Sequence, residues 1–338
     1  MYNKNHMTST ANFLNPKLFD NYVEQIPIRK GFGEGLVIAG EKDACIVGLC
    51  ADLTESTQML AFKNKFPNRF VEIGVAEQNL ATVASGMAAM GKIPVITSYA
   101  MFSPGRNWEQ IRTTIAYNDR KVIIAGSHAG VSVGPDGGTH QAIEDIALMR
   151  VIPNMTVIAP CDAIEARKAT VAALSDTQKT PVYIRLAREK SPVITTDESP
   201  FEIGKANVFY KSVEIEDHFT SDVLICSTGG LTYNALCAAK ELEEKYKKRV
   251  VVLHFHTIKP LDETTLLAYA EHAVKVVTVE EHQVAAGFGS AICEFISEKC
   301  PRQVLRIGVR DQFGQSGTPK ELIAHYGMAI SDIVKIAL

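Results

Sequence analysis

The sequence predicts an α/β protein of two doubly wound domains, and three observations carry that reading. Apolar runs of strand length alternate along the chain with stretches whose apolar residues recur at helical spacing, a pattern that places parallel strands between covering helices. The chain has 338 residues, which suits two hydrophobic cores better than one. From Glu189 to Gly204 the alternation lapses into a stretch with Pro192, Pro200 and several Ser and Thr, the composition of a linker. In order, helix Ile28–Gly40 precedes strand Ala44–Cys50. Strands Phe70–Val75, Pro94–Ser98, Val122–Ala125, Thr156–Ala159 and Pro181–Leu186 follow, separated by helices Ala76–Met90, Trp108–Ala116, Gln141–Val151 and Ala163–Leu174. A second series supplies strands Val223–Ser227, Val250–His254, Val274–Glu280 and Val304–Gly308. The expected boundaries are a flexible tail over 1–15, a first domain over 16–190, a linker over 191–204 and a second domain over 205–338.

Bulk properties remove several functional classes. The formal net charge is −3 with acids and bases interspersed, and Glu241-Leu-Glu-Glu-Lys-Tyr-Lys-Lys-Arg249 is a solvated helix face, so nucleic acid is not an expected partner. Seven cysteines are scattered without metal-ligand spacing, several inside apolar runs, which points to a reducing, cytoplasmic compartment. No apolar run reaches the ~18 residues of a membrane span. Met1 to Thr10 is polar and lacks the apolar core of a signal peptide.

The chemistry concentrates where strands end. In Gly126-Ser-His-Ala-Gly-Val-Ser-Val-Gly-Pro-Asp-Gly-Gly-Thr-His-Gln141, five glycines, two histidines and an aspartate lie between a strand run and a helical pattern. Ligands of open α/β sheets bind beyond the carboxyl ends of strands, and glycine lets backbone approach them closely. By itself this loop indicates a site for a small polar, phosphorylated molecule. Asp52 follows the first strand, Tyr99 and Phe102 the third and His128 the fourth, so one sheet edge collects all four. Glu77 opens a helix of small and apolar residues, which makes it a partly buried carboxylate whose proton affinity responds to its surroundings.

Ala51-Asp-Leu-Thr-Glu-Ser56, Gly74-Val-Ala-Glu-Gln78, Tyr99-Ala-Met-Phe102, Asp136-Gly-Gly-Thr-His-Gln141 and Leu186-Ala-Arg-Glu189 occur in the order found in transketolases. With Glu280-Glu-His282, Gly287-Phe-Gly289 and Arg310-Asp-Gln-Phe-Gly-Gln-Ser-Gly317, the chain resembles the separate C-terminal subunit of a split transketolase. The resemblance implies a pyrimidine-binding domain followed by the transketolase C-terminal domain. It also implies transfer of a two-carbon ketol unit from a ketose phosphate to an aldose phosphate on thiamine diphosphate. In such enzymes a carboxylic group at the position of Glu77 stabilises the pyrimidine tautomer that deprotonates the thiazolium, with Asp136 and His140 counted beside it as catalytic. Asp52, Tyr99 and Phe102 match further cofactor contacts, the two aromatic residues against the flat aminopyrimidine. Asp136 and His140 match contacts to the sugar oxygens. Arg29, Ser56, His128 and Arg188 match the receptor for the substrate phosphate, where arginine suits because its fork meets phosphate bidentately. A helix cap explains Ser56 equally well. Arg185, on the other face of its strand, is expected in a structural ion pair.

The family's diphosphate and metal element, Gly-Asp-Gly followed by Asn, has no counterpart here, so no metal ligand is assigned. Mg2+ and the diphosphate half of the cofactor fall to a partner, the transketolase N-terminal subunit. The expected assembly is α2β2, with two copies of this chain paired through the small-residue helix Leu80–Met90. Ser103-Pro-Gly-Arg-Asn-Trp108 stands where full-length relatives carry a third aromatic residue. Three alternatives share part of this pattern: a deoxyxylulose-phosphate-synthase-like chain, the β chain of a 2-oxo acid dehydrogenase, and a non-catalytic paralogue that only binds a partner. The sugar specificity stays open between pentose phosphates and catabolic sugars such as apulose 4-phosphate.

Overall fold

The computed structural model describes residues 10–175, 177–212 and 220–338. In the first domain β1 (Gln25–Pro27) leads into α1 (Ile28–Lys42), followed by β2 (Ile46–Cys50), α2 (Leu60–Lys65), β3 (Phe70–Glu72), α3 (Glu77–Ala89) and β4 (Ile93–Tyr99). Next come α4 (Trp108–Gln110), β5 (Ile123–Ser127), α5 (Asp145–Arg150), β6 (Thr156–Ile158), α6 (Ala163–Leu174), β7 (Val182–Arg185) and β8 (Lys190–Pro192). The remainder comprises β9 (Asn207–Lys211), β10 (Ser221–Ser227), α7 (Thr232–Tyr246), β11 (Val250–His254), β12 (Thr257–Lys259), α8 (Glu263–Ala270), β13 (Ala273–Gln283), α9 (Phe288–Lys299), β14 (Val304–Val309), α10 (Pro319–His325) and α11 (Ile330–Ala337).

A seven-stranded sheet runs β12-β6-β7-β5-β4-β2-β3 and a five-stranded one β14-β13-β10-β11-β9. All pairs among β2 to β7 are parallel. Every residue of β2 and β5 is buried, which is why their sequences are continuously apolar or small instead of alternating. Strand β2 lies between β3 and β4, so the chain reverses its direction of travel there, and crevices form at such switch points. No helix among the described residues is long and apolar enough to cross a membrane.

Four local expectations differ from the structure. The helix expected over Gln141–Val151 starts only at Asp145. Gln141 to Ala142 is held in a loop instead, the Gln141 amide donating to Val131 O, Gly134 O and Gln315 O and the Ala142 carbonyl accepting from Gly130 N–H. Helix α4 passes into a π-helical segment, Ile111–Ala116. There the Thr113 and Thr114 hydroxyls donate to Glu109 O (2.9 Å) and Gln110 O (2.6 Å) and compete with the backbone ladder. The expected linker is built in, for Ile194 and Thr195 are buried and their N–H groups donate to Asp162 Oδ2. Most of the expected tail lies outside the described residues, but its end is anchored. Ala11 N–H donates to Phe209 O, Asn15 N–H to Ile194 O, and Leu14 is buried.

Strands β9 and β12 escape sequence reading because their partners are remote. Antiparallel β9 closes one edge of the second sheet, and β12 leaves the second domain to pair antiparallel with β6. Val47, Leu49 and Met155 consequently share one apolar cluster with Leu224, Phe255 and Phe288. A polar knot sits beside it. Glu165 Oε2 accepts from Cys161 N–H and lies 2.8 Å from His254 Nε2. Burial alone would raise the Glu165 pKa, yet His254, His256 and that N–H together bring it to about 2. His256 is fully buried, and burial lowers its pKa from 6.5 to about 4.

The sign of the His256 effect follows from linkage. The unfolded imidazole takes a proton below about pH 6.5, whereas the native ring refuses one until about pH 4, so stability is complete above that window and declines as pH falls through it. Denaturant unfolding at stepped pH should show His256→Leu losing less stability than the parent chain between pH 6.5 and 4, by up to ~1.4 kcal/mol per pH unit.

Candidate active site

The carboxyl ends of β2, β4, β5 and β7 all open on one side of the seven-stranded sheet, because these strands are parallel neighbours. Asp52 and His128 closely follow two of them with left-handed backbone, φ 59° and 56°. Non-glycine residues tolerate that region at some cost, and it commonly marks functional turns. The Asp52 turn is held by Glu72, whose carboxylate accepts from Asp52 N–H, Gly74 N–H and the Thr54 hydroxyl. Sequence pattern does not single out Glu72; its only signal is an acid at the end of a strand.

Aromatic rings form the middle of the site. His128 stacks on Tyr99 at 3.8 Å between ring centroids. Tyr99 and Phe102 are near-parallel at 6.3 Å, and His140 meets the Phe102 ring edge-on at 5.5 Å. One Tyr99 face is therefore covered by His128, and the Phe102 ring is covered in turn by the Arg106 guanidinium, 5.3 Å from its centroid.

On one flank is a group of cations. Arg29 Nη1 lies 3.1 Å from His128 Nε2, and the Ser127 hydroxyl lies 2.8 Å from Nδ1. Arg188 donates to Val133 O (2.7 Å) and Asp136 Oδ1 (3.2 Å). Burial and then the Arg188 charge lower the Arg29 pKa. Burial, Arg29 and Arg188, in that order, bring His128 down to about 3. Each cation makes its neighbours' charge costlier, and an incoming anion relieves all of them together. Ser56 has a different local setting from the one a helix cap requires. It sits in the turn before α2, whose N-cap residue is Met59, so the helix-cap explanation fails.

On the other flank Glu77 opens α3 with 2% exposure. Its partner is Arg106, a residue that sequence pattern does not mark: Nη1 donates to Glu77 Oε2 at 3.0 Å. Asn107, fully buried, donates to the Glu77 carbonyl and to the Ser103 hydroxyl. Arg106 escapes sequence reading because it lies in a loop with no periodicity.

The loop from Gly130 to Gln141 is shaped from beneath by the second domain. Glu281 Oε1 accepts Ser132 N–H at 2.6 Å, and its carboxylate lies so close to Gly130 that no side chain would fit there. Arg185 forms the expected structural pair, with Asp145 at 2.8 Å, and also donates to Glu281 O. Within α3, Leu80, Ala81 and Ala84 are buried in their own chain, while Asn79, Thr82 and Gly86, and Met90 just beyond its end, face outward. The small residues of that helix thus serve two faces, and Ala84 belongs to the inner one.

This fold is that of the transketolases, as comparison with known proteins shows. Residues 24–193 match the transketolase pyrimidine binding domain and 212–333 the transketolase C-terminal domain; the chain belongs to the transketolase family. It is 41% identical to a transketolase C-terminal section of Methanocaldococcus jannaschii over 311 residues, 91% of this chain and 94% of the relative. One of the chains of the apulose-4-phosphate transketolase of Phocaeicola vulgatus is 35% identical over 314 residues, 93% of this chain and 97% of that one. Among solved structures, a split-gene transketolase in an inactive β4 tetramer matches with a TM-score of 0.83 and 41% identity, covering 92% of this chain and 97% of that one.

Burial and the two arginines together set the His128 titration. In NMR spectra its ring should not titrate between pH 8 and 5, and Arg29→Ala should move its pKa upward from about 3, because burial remains but one repelling cation is gone. A ring that titrates near 6.5 in the parent chain would contradict the packing described.

Proposed function

We propose that this chain is the C-terminal subunit of a split transketolase that moves a two-carbon ketol unit from a ketose phosphate to an aldose phosphate. The observation that carries the reading is the placement of a buried carboxylate and a cation cluster on opposite flanks of one aromatic layer. Glu77, 2% exposed, is bonded to Arg106 over the Phe102 ring, while His128 stacks on Tyr99 and meets Arg29 on its far side, with Arg188 nearby. A ligand with a flat, hydrogen-bonding ring and a substrate with a distal anion each find a matching half.

The residues present fit the pyrimidine half of thiamine diphosphate. Glu77 supplies a buried carboxylate for a protonated ring nitrogen, and Arg106, which now donates to it, lies over the Phe102 ring face on which a flat ring can stack. When bound, the cofactor supplies an acidic carbon that attacks a carbonyl and stabilises the charge left by C–C cleavage. Glu77 holds a proton shared with the ring, and burial keeps water from competing for it. Asp52 supports the cofactor where the partner chain closes on it. His140 and Asp136 orient the sugar hydroxyls at the reacting end. Arg29, His128 and Arg188 form the phosphate receptor, in which the neutral His128 ring accepts from Arg29 Nη1 through Nε2 and so aims that guanidinium. Ser56 remains a candidate at the rim of that receptor.

Supporting the split arrangement, two relatives matched nearly end to end are themselves a transketolase C-terminal section and one separate chain of a transketolase. The diphosphate and Mg2+ then belong to an N-terminal partner chain, in an α2β2 assembly paired partly through the outward face of α3. Calorimetry on the purified chain should detect no tight thiamine diphosphate binding and assays no ketol transfer, both appearing when the partner is added. Tight binding to the chain alone overturns the division of the site.

In the assembled enzyme Arg188→Ala should raise KM for phosphorylated ketoses while sparing unphosphorylated erythrulose. Loss of one charged hydrogen bond corresponds to roughly 10–150-fold in kcat/KM. Equal losses on both substrates would remove Arg188 from the phosphate receptor.

A further inference from the structure

Arg106 makes two contacts that no feature of the site so far has used. Its Nη1 donates to Glu77 Oε2 at 3.0 Å, and its guanidinium carbon lies over the Phe102 ring, 5.3 Å from the centroid. The guanidinium is planar, carries donors along its edge and stacks on aromatic faces. Those are the properties by which an aminopyrimidine is held, and they are satisfied here on the same two groups. We infer that Arg106 is a gate of the pyrimidine pocket: it competes with the cofactor ring for Glu77 and Phe102, and its side chain swings outward as the ring enters. This rests on the assignment of Glu77 and Phe102 to the pyrimidine.

The surroundings permit the motion and little else. The Arg106 side chain is 52% exposed, against 2% for that of Glu77, so the arginine moves into water while the carboxylate stays buried. Its backbone does not need to move. Asn107 is fixed to the start of α3 by hydrogen bonds to Glu77 O and Ser103 Oγ, and Gly105 is packed so tightly on Met101 O that no side chain would fit. A hinge confined to one side chain follows. The arginine also compensates the buried Glu77 charge until a ring nitrogen replaces it, which keeps an otherwise costly carboxylate in place. Arg106 is thus a positioning residue for Glu77 and a competitor of the cofactor at once.

The test uses this chain copurified with its diphosphate-binding partner chain and thiamine diphosphate as the probe. This chain holds a single tryptophan, Trp108, whose indole donates to Leu148 O, two residues from the gate. Fluorotryptophan labelling of this chain therefore gives one resonance. Arg106→Ala should bind the cofactor about ten-fold more tightly by calorimetry, since a charged hydrogen bond no longer has to be displaced. Its resonance before cofactor addition should already be shifted toward the cofactor-bound position of the parent. Arg106→Lys, which keeps charge but loses the planar fork, should fall between the two. Unchanged or weaker affinity in Arg106→Ala, or a resonance that ignores the cofactor in the parent complex, overturns the gate. A purely structural arginine would alter melting without tightening binding. Failure of the parent complex to bind the cofactor at all would instead overturn the Glu77 assignment, and the gate with it.

Discussion

Arg185 is the interaction on which the rest of the site depends. At the end of β7, 6% exposed, it donates to Asp145 at the start of α5, to the Ala142 carbonyl and to the Glu281 carbonyl on β13. A buried guanidinium is tolerated only when its donors are met by well-placed acceptors, and losing one partner of such a pair costs several kcal/mol. Three segments from two sheets must therefore come together for this strand to be buried at all. Tyr183 adds a hydroxyl to the same Asp145 oxygen (2.7 Å), and Glu281 in turn shapes the backbone at Ser132. The loop carrying Asp136 and His140 is held against the second domain by this framework, not by its own sequence.

That dependence explains how the two domains divide their labour. Every side chain assigned to ligands lies in the first domain, while the second contributes buried polar groups behind them. Strand β12 extends the division into covalent order, since a segment of the second domain finishes the edge of the first sheet beside β6. The Glu165–His254 contact and the shared apolar cluster secure the same boundary. The domains are thus distinct in sequence but not in core.

The site itself separates two electrostatic demands. Under the proposed function, the carboxylate that exchanges protons with a ring is kept dry at the start of α3, and the cations that hold an anion stand beyond two aromatic rings. Tyr99 and Phe102 keep these opposite charges from meeting, for otherwise Glu77 would neutralise Arg29 or Arg188 and each flank would lose its ligand. Asp136 performs a milder version of that neutralisation on Arg188 at 3.2 Å, exposed enough for solvent to weaken it.

The sequence alone determined the alternating architecture, the strand ends that carry Asp52, Tyr99 and His128, the burial of Glu77 and the structural fate of Arg185. Each was legible because it follows from periodicity or from which face of a strand a residue takes, and both are local properties of the chain. The tertiary structure alone decided that Arg106 meets Glu77, that Glu72 ties the Asp52 turn, that Ser56 does not cap a helix, and that Ile194 and Thr195 are buried. It also decided the shortened α5 and the crossing of β12. In all of these the partner lies far along the chain, and a loop residue's direction is set by which distant donor or acceptor it satisfies, information that no local spacing carries.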